Sequence, residues 1–198
     1  RILPYYQALP GWLRNGVMQN LANRMPVSLD KLSFDFKLKK FVENANFDPL
    51  RAHYSWKTVF TDNEKEQLFS GLDIHKLKNS FHAVCECTSH LSKQSIPEQC
   101  LYADLKTWLP EQLYFTDSVS MAHSVENRLP FLDHELVEFA FSIPFNAKMK
   151  GLKLKYLLRN TVRGMLSRKI LSQKKLGAGA PFSIWMLKDS KVRGLVTD

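Results

Sequence analysis

One proline constrains the middle of this chain more than any other residue. The stretch from Asp117 to Pro144 reads DSVSMAHSVENRLPFLDHELVEFAFSIP. Pro130 pushes Leu129 out of the helical region and lacks a backbone donor, so no single helix runs through this span. Ser118 to Asn127 is predicted as one helix. Beyond the break, Leu136, Phe139 and Ala140 fall at i, i+3 and i+4, which places them on one helical face. Asp133 is positioned to cap that second helix, and Pro144 stops it. The expected shape is helix, tight elbow, helix. Glu126 and Arg128 are predicted to face each other across the joint as a buried ion pair that fixes its angle.

The rest of the chain also reads as helices. Trp12, Leu13, Val17, Met18 and Leu21 give an amphipathic helix that Pro26 ends. A second, from Leu29 to Glu43, carries Phe34, Leu38, Phe41 and Val42 at helical spacing. Its other face bears Lys37, Lys39 and Lys40, read as a solvated face. Asp48-Pro49 is a predicted turn, from which His53-Tyr54-Ser55-Trp56 leads into the next helix. Thr61 with Glu64, and Ser95 with Glu98, have the spacing of capping boxes, in which hydroxyl and carboxylate each take an orphan amide of the first turn. The second box opens a helix with Leu101, Leu105 and Trp108 on one face, predicted to end at Leu109-Pro110. No stretch alternates cleanly enough for a strand, and no repeat is present. The expected fold is mainly α, a packed helical array.

Composition narrows the function classes. At 198 residues, 44% of them hydrophobic, the chain is long enough to bury a substantial core. Eight glycines and nine prolines argue against a turn-rich all-β protein. A net charge of +9 suits an anionic partner: nucleic acid, a membrane surface or polyphosphate. No apolar run is long enough to span a membrane and no signal peptide is recognised. Cys85, Cys87 and Cys100 cannot all pair, which points to a reducing, cytoplasmic setting. The start at Arg1-Ile2-Leu3, without Met, gives the expectation of a fragment.

Two clusters carry candidate chemistry. His82, Cys85, Cys87 and His90 are zinc-type ligands. On one helix from Lys76 to His90, however, the first pair and the second would lie roughly 140–200° apart, so the four cannot close a tetrahedron. Two of them with a remote ligand is the lesser alternative; cysteines packed in the core, with a surface histidine or two and no metal, are the expectation. The second cluster is basic: Lys148, Lys150, Lys153 and Lys155 around Gly151, then Arg168, Lys169, Lys174 and Lys175 before Gly177-Ala178-Gly179. Ammonium groups beside a glycine-containing loop suit a pyrophosphate, whose charge grows as it leaves. On charge alone an ordinary basic surface explains them as well.

The central stretch resembles the S-M-A-x-S-x-E-x-R-x-P-F-L-D segment of the asparagine synthetase (glutamine-hydrolysing) family. Ser120, Met121, Ala122, Ser124, Glu126, Arg128, Pro130, Phe131, Leu132 and Asp133 all fit. Lys155-Tyr156-Leu157-Leu158-Arg159 is similar to the family's K-Y-x-L-R element, and the resemblance gives Lys155 the role of contacting ATP phosphates and the departing pyrophosphate. Lys153 is the alternative if the register slips. Gln173 to Pro181 is similar to the family's R-x-K-x-G-F-x-x-P, which assigns Lys175 and Gly177 to phosphate binding. There Gln173 replaces the usual Arg and Ala178 the usual Phe. Trp185 matches the family's closing Trp.

The resemblance implies a helical, C-terminal portion of an α/β ATP-pyrophosphatase-type synthetase domain over 1–198. The family's glutaminase cysteine, its S-G-G-x-D-S loop and its G-x-D-E-x-x-G-G-Y segment are not in this sequence. It also implies ATP and magnesium, aspartate as acceptor, an aspartyl-AMP intermediate, and ammonia derived from glutamine. The 198 residues alone are expected to be inactive, with the glutaminase and nucleotide-binding segments as their partners. Two other readings stay open. Gln173 and Ala178 motivate a relative that amidates a sugar or a peptide, or closes a lactam. A basic helical nucleic-acid module would need lysines interleaved with exposed aromatics, whereas the aromatics here sit at core spacing.

Overall fold

The computed structural model describes residues 2–26, 28, 33–69, 79–173 and 182–197. Its helices are α1 (Leu3–Gln7), α2 (Gln19–Arg24), α3 (Phe34–Asn44), α4 (Pro49–Ser55), α5 (Asp62–Leu68), α6 (Phe81–Thr88) and α7 (Ile96–Ala103). They continue as α8 (Leu109–Met121), α9 (His134–Ser142), α10 (Phe145–Lys148), α11 (Tyr156–Thr161), α12 (Arg168–Ser172), α13 (Phe182–Lys188) and α14 (Ser190–Thr197). Among the described residues there is no strand, only an isolated bridge between Lys150 and Lys153. No described helix is long and apolar enough to cross a membrane.

Side-chain caps set several of these starts. Thr61 Oγ1 accepts the Glu64 amide at 3.3 Å while the Glu64 carboxylate accepts the Thr61 amide at 2.7 Å, the predicted box. At α7 the Glu98 carboxylate accepts both the amide and the hydroxyl of Ser95, at 3.0 and 2.7 Å. Asp48 is not in a free turn: its Oδ1 accepts the amides of Leu50 and Arg51, and Pro49 fills the first helical position of α4. His53 to Ser55 therefore lie inside α4 rather than leading into it. The predicted helix from Leu29 is described only from Phe34, and the one from Lys76 only from Phe81; Leu29 to Leu32 and Lys76 to Lys78 lie outside the described residues.

The expected stop at Leu109-Pro110 does not occur. Residues Asp104–Trp108 form a π-helical segment between α7 and α8. Proline lacks the N–H for the regular ladder and its ring clashes with the carbonyl four residues back. A local π-bulge relieves both problems and lets the helix continue.

The chain divides into two compact units, 1–46 with 162–198, and 47–161. In the first, Tyr6, Ala22, Val42 and Ala45 are buried, and the Tyr6 ring meets Phe41 edge-on at 5.1 Å. Gln7 Nε2 donates to the Ala45 carbonyl at 2.9 Å. The predicted apolar stripe does not face this core: Trp12 is 70% exposed, and Val17 and Leu21 are exposed too. Residues Leu13–Met18 are again π-helical. The wider turn shifts the phase of the stripe, so Ala22 rather than Leu21 meets the core.

In the second unit, Leu50 of α4, Val84 of α6 and Ala103 of α7 form the buried cluster, flanked by Tyr54, Phe81 and Cys100. Helices α8 to α11 contribute no buried residue.

Candidate functional site

The elbow differs from its sequence reading in two respects. Helix α8 already ends at Met121, so Ser118 to Asn127 is not one helix. Two hydrogen bonds close its end, Ser124 N–H to the Met121 carbonyl at 2.9 Å and Val125 N–H to the Ser120 carbonyl at 3.0 Å. This is the Schellman pattern, which needs a left-handed residue and usually finds Gly. Here Ser124 takes it, with φ at 57°. Residues 125–129 then have no regular secondary structure and are tied back by Asn127 Nδ2 donating to Ser120 Oγ at 3.3 Å.

The second difference is burial. Arg128 and Glu126 do pair, at 2.9 Å, but their side chains are 82% and 64% exposed. A pair in that setting contributes little to rigidity, so it does not hold the corner. Asp133 behaves as expected: its Oδ1 accepts the Leu136 amide at 3.2 Å and opens α9. The apolar face of α9 is on one side, yet Leu136 and Phe139 are exposed on it.

Downstream, the chain turns tightly. Lys150 and Lys153 exchange backbone hydrogen bonds at 3.3 and 3.0 Å around a loop in which Gly151 has φ of 60°. Lys155 follows with φ of 54°, immediately before α11, and its carbonyl accepts the Arg159 amide at 2.9 Å. Among the described residues, Ser124 and Lys155 are the non-glycine positions with positive φ. One lies in each motif stretch. Side chains rarely adopt this region, and such strain concentrates at functional sites.

Lys153 and Lys155 are exposed, and among the described residues no carboxylate lies within ion-pair distance of either. Lys150 sits over the Tyr156 ring at 5.4 Å. From Phe145 to Lys175 the sequence carries ten lysines and arginines and no acidic residue. The donor set fits a polyphosphate. Among the described residues no group of three or more His, Cys, Asp or Glu residues able to hold a metal occurs. Lys175 and Gly177, with Lys174 and Ala178, lie outside the described residues. Gln173 is exposed just after α12, and Trp185 is exposed on α13.

The His82 to His90 cluster is also placed. His82 faces Glu86 at 4.0 Å and His90 stacks edge-on against Tyr102 at 5.2 Å. Cys85 is exposed rather than in the core, and Cys87 is half-buried, its thiol donating to the Val84 carbonyl.

A third cluster escaped the sequence reading. His53 of α4 places Nε2 2.9 Å from Asp104 Oδ1, and the Lys57 ammonium bonds the same oxygen. Burial first, then the charge of Lys57, push the His53 pKa down to about 4, so the ring is neutral near pH 7 and donates Nε2–H. Burial also lowers Lys57 and pushes the Cys100 thiol up to about 11, where it is inert as a nucleophile. Fifty-one residues separate His53 from Asp104, so no local spacing marks the pair. The one available signal was the polar Asp104 among apolar positions of a helix.

These features define a cationic loop and a strained helix end borne on a helical scaffold. The chain belongs to the asparagine synthase family, which it matches over residues 4–198. It is 28% identical over 158 residues to asparagine synthetase [glutamine-hydrolyzing] 1 of Bacillus subtilis (strain 168), covering 76% of this chain and 24% of the relative. A putative asparagine synthetase [glutamine-hydrolyzing] of Mycobacterium bovis is 36% identical over 86 residues, 43% of this chain and 13% of the relative. Amidase chry2 of Gibberella zeae is 33% identical over 92 residues, 42% and 14%. The chain thus spans about a quarter or less of these relatives. No solved structure matches it.

Proposed function

We propose that the chain is the helical part of an ATP-dependent amide ligase, and that it supplies cations to a departing pyrophosphate. The observation that carries this reading is the cationic turn: Lys153 and Lys155 without ion-pair partners among the described residues, and Lys155 held at positive φ, in a run of ten cations and no acid. Preorganised cations act where charge develops in the transition state. Lys155 is the principal phosphate contact in this reading and Lys153 its neighbour. Lys175 and Gly177 join them by family resemblance. ATP, brought with magnesium, would supply the activating adenylyl group. The acceptor would be aspartate, activated as aspartyl-AMP, and the nucleophile ammonia derived from glutamine. The exposed apolar faces of α8 and α9 would receive the nucleotide-binding segment of such a ligase.

A Lys155→Ala change in the complete gene product tests this. Aspartate-dependent exchange between ATP and pyrophosphate should fall about 10²–10³-fold, with glutaminase turnover retained. Unchanged exchange would move the role to Lys153 or Lys175.

The similarity to proteins named amidases favours a second reading, a ligase with another acceptor. Gln173 in place of the family's Arg is consistent with it. Exchange that responds to aspartate counts against this reading. A nucleic-acid role has less support. The aromatics are more exposed than their spacing implied, among them Tyr114, Phe115 and Phe139. They lie, however, in a stretch from Leu109 to Pro144 with six acidic residues and only Arg128 as a cation.

A further inference from the structure

An open groove in the second unit, between the α7–α8 run and α9–α10, offers about 360 Å³. Leu105, Trp108, Leu109 and Phe141 form much of its wall, and two charged groups, Asp104 and Lys148, reach it. Their situations differ. Asp104 is already matched, since its Oδ1 takes hydrogen bonds from His53 and Lys57. Lys148 is half-buried, and among the described residues no carboxylate lies within ion-pair distance of it. Its ammonium rests over the Phe141 ring, 5.4 Å from the centroid.

The counter-charge that acts on it is Glu98, and that carboxylate is engaged by the Ser95 amide and hydroxyl. Burial lowers the Lys148 pKa, with Glu98 opposing the change only in part. A partly desolvated cation without its anion is an incomplete ion pair. It stands at the edge of an apolar cleft, which is the arrangement of a small-molecule site: apolar walls and one polar group that fixes orientation.

We propose that this groove binds a small amphiphilic carboxylate, its apolar body between Trp108 and Phe141 and its carboxylate on the Lys148 ammonium. Asp104 does not oppose such an anion, because Lys57 offsets its charge. The volume lies at the lower end of the roughly 300–1,000 Å³ typical of ligand sites, so the ligand is short. Lys148 is the first cation of the run that leads into the turn of Lys153 and Lys155, but the groove it lines does not include those two lysines, and the proposal does not depend on the ligase reading.

Calorimetric titration of the 198-residue chain with octanoate and with octan-1-ol, without nucleotide, tests it. Octanoate should bind saturably and at least tenfold more tightly than the alcohol. Lys148→Met keeps the apolar stem and removes the charge, so octanoate should then bind no better than octan-1-ol. Lys148→Arg should retain the preference. Ala140→Phe, which puts bulk into the groove, should weaken both ligands at least tenfold with the helical circular dichroism intact. Equal affinity for the two ligands, no saturable binding, or octanoate binding undiminished in Lys148→Met or Ala140→Phe would overturn the assignment.

Discussion

The second unit contains two halves built on different terms. Residues 47–108 enclose Leu50, Val84 and Ala103, and polar groups there are matched, as His53, Lys57 and Asp104 are. Residues 109–161 bury nothing in their helices, while Tyr114, Phe115, Phe131 and Phe139 stand 63–77% exposed. The exposed half is the one that carries the dense family motif. Apolar surface is costly to leave in water, and contiguous exposed patches mark interaction sites. In this unit the packed half supports a surface whose side chains are laid out for something else to cover.

The largest effect that would break this contrast is in core packing. Leu50→Ala should cost about 2–5 kcal/mol, the range for truncating a buried leucine. Phe139→Ala removes more atoms but should change the stability of the 198-residue chain by only about 0.5 kcal/mol, as surface substitutions do. Urea denaturation of both variants decides it. Equal losses would mean that α9 is packed as tightly as α4. In the complete gene product the Phe139 cost should rise if another segment covers α9, and a cost that stays small would remove the docking role of that face.

Much of this division was not legible in sequence. The caps were, because each is a local device: Thr61 with Glu64, Ser95 with Glu98, and Asp133 before α9. Periodicity also placed the apolar residues of α9 on one side. Periodicity states which residues share a face and says nothing of what lies against it, so the exposure of Phe139 and Leu136 is visible only in the structure. Pro110 does not break its helix because a π segment absorbs it, and the closure of α8 at Ser124 carries no sequence signal because its left-handed conformation normally calls for glycine. The phosphate candidates Lys153 and Lys155 came from the family pattern, whereas the strain at Lys155 is visible only in the backbone. His53 and Asp104 meet through tertiary packing, which no spacing rule reaches.

Acid should act on the packed half in a way that sharpens the contrast. His53 titrates near its ordinary 6.5 in the unfolded chain and near 4 in the fold. As pH falls through this window the unfolded chain gains a proton that the folded one refuses, so stability drops. With the ring about one-third exposed, screening reduces the effect to the order of 1 kcal/mol. His53→Gln should flatten the pH dependence of the urea midpoint between pH 7 and 4.5. Carboxylates remote from the ring contribute equally to both proteins and cancel in the difference, and the glutamine amide can still donate to Asp104. Lys57→Met removes the adjacent positive charge, so the ring should titrate at higher pH and the slope should shrink. An unchanged slope in His53→Gln would show that the ring is not protected in the fold.

The smallest expected effect concerns the pair at the elbow. Glu126 and Arg128 lie 2.9 Å apart with both side chains largely in solvent. Exposed pairs contribute roughly 0.2–1 kcal/mol, so a double-mutant cycle of Glu126→Ala and Arg128→Ala in the 198-residue chain should return about 0.5 kcal/mol or less. A coupling several times larger would mean that the pair is a structural clamp after all, and that the exposed half has a rigid joint of its own. The informative combination is a negligible coupling in the chain together with a large loss of ATP–pyrophosphate exchange in the complete gene product. Stability would then give no account of these two charges, and their place on the uncovered face would. An Arg128→Lys variant separates charge from shape: the guanidinium fork recognises planar anions bidentately and an ammonium does not. Exchange lost in Lys and Ala alike would assign Arg128 a two-pronged contact beyond Glu126, whereas exchange kept by Lys would leave it a simple positive charge at the rim.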